Sequence, residues 1–202
     1  MQPYIQSATP TSVWILWETT ESEESLVDWG KTEALDTRTT GTGFASTNES
    51  TLHETQLTGL EPATTYYYQV RSEAAYSEVF HLRTPPTKDS EAAFQIAAVS
   101  DMQRDFGNPE IYGQIIEDGI IDFVQTEYNA DLATALGLVL VPGDLVDNGW
   151  EYDQWRDHFF APGAELMSHV PFYPVPGNHE LNTPYFFNFF HLPDNGSASY
   201  EE

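Results

Sequence analysis

Six residues in three short blocks are of the types that bind hard metal ions and move protons. They are Asp101 and Gln103 in Ser100-Asp101-Met102-Gln103, Asp144 and Asp147 in Gly143-Asp144-Leu145-Val146-Asp147, and Asn178 and His179 in Gly177-Asn178-His179-Glu180. Carboxylate and amide oxygens with one imidazole suit hard or borderline cations. Such cations, held in pairs about 3.5–4 Å apart, clamp a phosphoryl group and ionise water near neutral pH. A carboxylate such as Asp144, after a glycine that lets the backbone turn sharply, is suited to bridge two cations. Asp101 suits one metal, with Gln103 on the same face two residues on. Asn178 offers an amide oxygen to the other. His179 is placed to protonate a leaving oxygen or to stabilise its charge.

Each block follows an apolar run that reads as a buried strand: Phe94 to Val99, Leu138 to Val141, and Phe172 to Val175. Three strand ends therefore deliver the donors to one edge of one sheet, where open α/β sheets bind ligands. Taken singly the signals are weak, since an Asp after a strand is commonly a turn or helix cap. Their order and strand-end context carry the weight.

Between the strands the period changes to that of helices. Asn108-Pro109-Glu110 reads as a helix start, with a cap, a proline and an acid in the first turn. Ile111, Ile115, Ile116, Ile120, Phe123 and Val124 then recur at helical spacing. A second helix is expected from Glu151 to Met167, interrupted near Pro162-Gly163. The βαβ alternation indicates a parallel sheet.

Residues 1–84 read as all-β, with strands expected at Ser12–Trp17, Ser25–Trp29, Leu52–Leu57, Tyr66–Arg71 and Val79–Leu82, and turns through Thr39 to Gly43. In Leu60-Glu61-Pro62-Ala63-Thr64-Thr65-Tyr66 the tyrosine can fold its hydroxyl back onto the turn, the tyrosine corner of β-sandwiches. With Trp17 on an early strand, this region resembles a fibronectin type III domain. Residues 85–93 read as a stiff polar linker.

The three blocks resemble those of calcineurin-like metallophosphoesterases, whose Asp-x-His, Gly-Asp-x-x-Asp and Gly-Asn-His-Glu motifs line a dinuclear centre. The similarity spans residues 94–202, and the fibronectin-type-then-phosphoesterase order resembles purple acid phosphatases. The resemblance implies an α/β/β/α layered domain, two divalent or trivalent metal ions (Fe, Zn or Mn) and hydrolysis of a phosphate-ester substrate. It assigns Asp101 to one metal, Asp144 to the bridge, Asn178 to the second metal and His179 to the leaving group. Gln103 stands where the family has His, as a neutral ligand or a group behind one. Asp147 stands where a purple enzyme has its tyrosinate, and it caps the next helix or orients its neighbours. The family's remaining blocks, a lone His and a Gly-His-x-His, are expected after Glu202, so the chain reads as the N-terminal part of a longer enzyme, inactive alone.

Composition narrows the alternatives. The 202 residues carry 32 acids against 7 bases, a net charge of −25, with only Lys31 and Lys88 as lysines. Nucleic-acid or anionic-membrane binding needs clustered Lys and Arg and is not expected. The acidity fits a solvated surface or adaptation to high salt, where charge is screened. There is no cysteine and no run of transmembrane length. No export signal opens the sequence, although the domain order favours a secreted or periplasmic protein. The rival from another class is an acidic, non-catalytic interaction module; calcium binding of EF-hand type lacks the required spacing. The histidines outside the blocks, His53, His81, His158, His169 and His191, read as structural, and Trp150, Tyr152 and Trp155 as helical packing or walls of the site.

Overall fold

The computed structural model describes residues 1–20, 24–46, 49–73 and 75–192. The expected end at Ser199–Glu202 lies outside them. The N-terminal half is a β-sandwich. One sheet runs β1 (Tyr4–Thr9), β2 (Ser12–Thr19), β6 (Thr51–Thr58), β5 (Thr42–Ala45). The other runs β4 (Thr37–Thr40), β3 (Leu26–Gly30), β7 (Thr65–Ser72), β8 (Ala75–Tyr76), with β9 (Phe80–Arg83) also paired to β7. Alternation sets its core: along β7, Tyr66, Tyr68 and Val70 point inward against Val13, Ile15, Trp17 and Val27. The tyrosine corner is present, with the Tyr66 hydroxyl accepting from the Glu61 N–H at 2.9 Å.

Two expectations change here. Thr39 to Gly43 is not turn alone but the tight junction of β4 and β5, where Gly41 N–H donates to the Ser25 carbonyl. Strand β1 gave no signal that set it apart, yet it forms the sandwich edge against β2.

The second half is a parallel three-stranded sheet, β10 (Gln95–Ala98), β11 (Leu136–Val141), β12 (Phe172–Pro174). At the site end β10 and β12 stop one residue short of their apolar runs, at Ala98 and Pro174, while β11 runs to Val141 as expected. Val139, Val141 and Phe172 face a layer of helices and aromatic rings. The first helical run covers 111–128: α1 (Ile111–Gln114), a π-helical stretch Ile115–Ile121, and α2 (Asp122–Tyr128). The short helix α3 (Leu132–Ala135) leads into β11, capped by Asp131 through the Thr134 N–H. A second run covers 152–169, and α6 (Pro184–Phe189) follows β12.

The first helix start and the continuity of the second helix differ from expectation. Asn108 and Pro109 lie in a turn, with the Asn108 carbonyl accepting from Ile111 N–H, and Glu110 takes the cap position. The second run begins at α4 (Tyr152–Gln154), passes through π-helical Trp155–Phe160 and continues as α5 (Ala161–His169) without interruption. Pro162 is accommodated because the Ala161 N–H already reaches back five residues to Arg156, so the missing proline donor falls just beyond a widened turn.

The two halves share a core. Tyr4, Leu16 and Leu52 from the sandwich pack in one cluster with Phe159, Phe160 and Phe189. Buried hydroxyls cross the junction: Tyr4 to the Phe189 carbonyl at 2.8 Å and Tyr68 to the Ser168 carbonyl at 2.7 Å. On its other face the parallel sheet is open, with Ile96, Leu140 and Val175 exposed. Among the described residues no helix is long and apolar enough to cross a membrane.

Candidate metal centre

The three blocks meet at the carboxyl edge of the parallel sheet, joined by backbone hydrogen bonds. Val99 N–H donates to the Leu140 carbonyl, Asp101 N–H to Gly143 at 3.4 Å, and Met102 N–H to Asp144 at 2.9 Å. From the other side Val175 N–H donates to the Val141 carbonyl, and Gly149 N–H to His179 at 2.9 Å.

Two glycines make the approach possible. Gly143 has φ +97°, and a Cβ on it would lie 2.9 Å from the Gly177 Cα. A Cβ on Gly177 would lie 2.1 Å from Asp144 Oδ1. Larger residues would force the second and third loops apart. Asp101 and Asp144 each hold φ +54°, a left-handed conformation unusual for residues with a Cβ. Both carboxylates thus leave their strands by the same sharp turn, at a cost of about 1 kcal/mol or more each.

Glu180 is the residue that organises the edge, and it was not given a role from sequence. Fully buried, its carboxylate accepts from four backbone donors: Asp144 N–H at 3.0 Å, Leu145 at 2.7 Å, Val146 at 3.3 Å and Gly177 at 2.6 Å. A buried carboxylate is tolerated only with its lone pairs satisfied, and here backbone amides of two loops satisfy them. The signal available in sequence was an acid directly after Gly-Asn-His, in a segment otherwise packed against the core.

Asp144 Oδ1 accepts from the His179 N–H at 3.1 Å, so the proposed bridging carboxylate and the proposed proton donor are tied through one backbone group. The His179 ring donates from Nδ1–H to the Asp147 carbonyl at 2.7 Å, leaving Nε2 free. That hydrogen bond, with the carboxylates of Asp144, Asp147 and Glu180 nearby, raises the imidazole above its usual value. Asp147 does not cap the following helix, whose cap position is Glu151; it orients His179 through its main chain.

Asp101 is exposed, one oxygen accepting from Ser100 Oγ at 2.7 Å, and Asn178 is exposed beside His179. Gln103 is turned differently. Its Oε1 is buried without a partner, and the side chain lines a cavity on the helix side together with Arg104 and His158. Hard oxygen donors from Asp101, Asp144 and Asn178 on one edge fit a Mg-, Mn-, Zn- or Fe-type cation. Their number is short of a full shell: among the described residues no three His, Asp or Glu side chains converge into a metal cluster.

Of the other residues weighed from sequence, Trp155 is fully buried in the aromatic core, Trp150 is exposed, and Tyr152 donates to Glu18 of the sandwich at 2.6 Å. His53 sits between Thr19 and Ser25, His81 pairs with Asp131, His169 donates from Nδ1–H to the His81 carbonyl at 2.6 Å, and His191 pairs with Glu54.

A family model for the calcineurin-like phosphoesterases matches residues 94–201, and one for the N-terminal domain of purple acid phosphatases matches residues 1–84. Purple acid phosphatase 15 of Arabidopsis thaliana is 25% identical over 158 residues, covering 69% of this chain and 28% of its own length. The chain therefore spans little more than a quarter of that curated relative. A purple acid phosphatase from yellow lupin (Lupinus luteus) seeds superposes with a TM-score of 0.69 at 19% identity, over 88% of this chain and 35% of that one. The solved structure of PhoD superposes with a TM-score of 0.55 at 15% identity, over 88% of this chain and 38% of its own. At these identities the structural likeness is one of fold.

Proposed function

This chain belongs to the calcineurin-like phosphoesterases, and we propose that, within a longer polypeptide, it supplies half of a dinuclear centre that hydrolyses phosphate esters. The observation that carries the reading is the Asp144–His179 pair: the main-chain N–H of His179 donates to Asp144 Oδ1 at 3.1 Å, so a metal-type carboxylate is tied to the residue that bears the general-acid imidazole. Asp101 and Asn178 would each hold one cation and Asp144 would bridge them. The ions, when bound, supply Lewis acidity and an ionised water.

The chain's own part in the reaction is to hold and deliver a proton. Asp147 accepts from Nδ1–H of His179 and so directs Nε2 outward as the position that carries the second proton. The raised pKa keeps that proton on the ring in mildly acid solution, where it can pass to a leaving alkoxide. Glu180 keeps both loops in register while this happens. The exposed Ile96, Leu140 and Val175 support further polypeptide being needed to complete the domain.

The test is a phosphatase assay with Mn²⁺, Zn²⁺ or Fe, on residues 1–202 and on the complete gene product. Turnover by the longer protein that a chelator abolishes supports the reading. Absence of any metal-dependent hydrolysis by it would favour an acidic interaction module instead.

A further inference from the structure

A cavity of about 580 Å³ lies under the linker, between the end of β9 and the start of β11. Much of its lining is apolar: Ala8, Pro85, Phe94, Leu136, Leu138 and the ring of Tyr173. It also holds Arg83 and Lys88, two of the seven bases in the chain, and none of the 32 acids. Neither base makes an ion pair among the described residues. The Arg83 guanidinium donates to the Thr65 hydroxyl at 3.5 Å, too long to be strong. Lys88 is exposed and Arg83 half-buried, so both charges are within reach of a ligand in the cavity.

Most other polar groups on the lining are answered within the chain. The Tyr173 hydroxyl donates to the Ala8 carbonyl at 3.2 Å, that of Thr84 to the Glu61 carbonyl at 2.6 Å and that of Thr134 to the Asp131 carboxylate at 2.8 Å. Ser90 Oγ accepts from the Ala92 N–H, and Thr87 is exposed. The neighbouring acids do not neutralise the two bases. Asp89 and Glu91 flank Lys88 on the linker without pairing with it, and Asp131 is held by His81 at 3.1 Å and by Thr134. The net charge of −25 opposes an anion at long range. Salt screens that field within about 8 Å, so the groups on the lining decide. A cation finds no carboxylate there and meets two like charges, while a wholly apolar ligand leaves both charges unanswered. We propose that this cavity binds a small amphipathic anion, with its apolar body against Phe94, Leu138 and Tyr173 and its head met by Arg83 and Lys88.

The volume is that of a pocket for one small organic molecule. The site is separate from the metal centre. Leu136 to Leu138 open β11, whereas the metal-type donors follow its far end. From Leu138 to Gly143 the extended chain spans about 15 Å. Binding here needs neither metal nor hydrolysis and does not rest on the phosphoesterase reading.

The test titrates octanesulfonate, which a phosphoesterase cannot cleave, into isotope-labelled chain of residues 1–202 in chelator. Amide shifts are followed by NMR below the micelle concentration. Expected are saturable shifts at Ala133, Thr134 and Gly137, which line the cavity, and an affinity that falls with added salt. Propanesulfonate, with too little apolar body, and octyltrimethylammonium, with the wrong charge, should each bind at least about tenfold more weakly. Lys88→Gln and Arg83→Gln should each weaken binding about fivefold, the worth of one partly exposed charge contact. Lys88 is exposed, so its variant keeps the test meaningful if Arg83→Gln does not fold. Ile96→Ser combined with Leu140→Ser, on the same sheet but outside the cavity, should leave the affinity unchanged. Equal binding of the octyl cation overturns the proposal, as do shifts confined to Ile96, Leu140 and Val175, or full affinity in both charge variants. Displacement of octanesulfonate by a polyglutamate peptide would assign the cavity to an acidic protein segment and overturn it as well. The complete gene product should bind with the same affinity; no binding there would show that further polypeptide fills the cavity, and the proposal would fall.

Discussion

The buried carboxylate of Glu180 accepts the Asp144 N–H at 3.0 Å while the next two amides after Asp144 and that of Gly177 share its oxygens. One side chain therefore holds the second and third strand-end loops as a unit. Glu180→Ala leaves four backbone donors at a buried junction, each costing about 1–3 kcal/mol if nothing replaces the acceptor. Partial relaxation and water entry should bring the measured loss in urea unfolding to about 3 kcal/mol or more. Glu180→Gln retains one acceptor oxygen and should lose less. Equal stability of wild type and Glu180→Ala would show that the amides find water instead.

His53 gives a pH dependence with a definite sign. Its ring is buried against Trp17, at 4.9 Å between centroids, and bonded to Thr19 and Ser25. Burial lowers it from 6.5 to about 4. Above pH 6.5 the ring is neutral in both folded and unfolded chains, and its contribution is fully present. As pH falls the unfolded chain takes the proton first, so stability is lost between about 6.5 and about 4. Melting temperatures of wild type and His53→Gln at pH 7.5 and 4.5 should differ in slope, the variant falling less. Parallel curves would mean that the ring is protonated in the folded chain too.

Much of this architecture was legible in the sequence because two periods are clean. Residues Tyr66, Tyr68 and Val70 alternate as a strand with one buried face, and Leu138 to Val141 form a short apolar run that ends in Gly143-Asp144. What was not legible depended on long-range partners. Strand β1 exists because the β2 ladder recruits it, and Thr39–Gly43 pairs because β3 and β6 lie on either side. The helix through Pro162 survives on a π-type turn that no local propensity announces. At the site, donor types could be read from the blocks, whereas the stitching by Glu180 and the burial of the Gln103 oxygen on the helix side arise only when distant segments meet.

That burial of Gln103 separates it from Asp144. Asp144→Asn removes a charge proposed to serve two cations, while Gln103→Ala removes a neutral, buried oxygen on a side chain that lines the helix-side cavity. Calorimetric titration of the complete protein with Zn²⁺ or Mn²⁺ should show the larger loss of affinity for Asp144→Asn. Losses of the same size would place Gln103 on the metal and Asp144 off the bridge.

His179→Ala in the complete enzyme should slow hydrolysis of alkyl phosphates by about 10²–10⁴-fold, the usual worth of a positioned acid. Aryl esters with good leaving groups depart without a proton and should suffer far less. The contrast is what distinguishes a proton donor from a scaffold: a uniform loss across both substrates would assign His179 only its structural hydrogen bond to Asp147.

The open face of the parallel sheet predicts how residues 1–202 behave alone. The register pairs Ile96 with Leu138 and Ala98 with Leu140, so these side chains share one face, on which Val175 also lies exposed. No helix of the described residues covers it, and contiguous apolar surface of this kind drives association. The sandwich has a separate core of its own around Ile15, Leu57 and Tyr68, so its folding does not depend on covering that face. Sedimentation of the isolated chain should show self-association that grows with concentration. Ile96→Glu combined with Leu140→Lys should disperse it without lowering the melting temperature by more than a degree or two, because both positions are solvent-facing and such changes typically cost no more than about 0.5 kcal/mol. A monodisperse wild-type chain across the same concentrations would show that this face is stable in water and requires no covering layer.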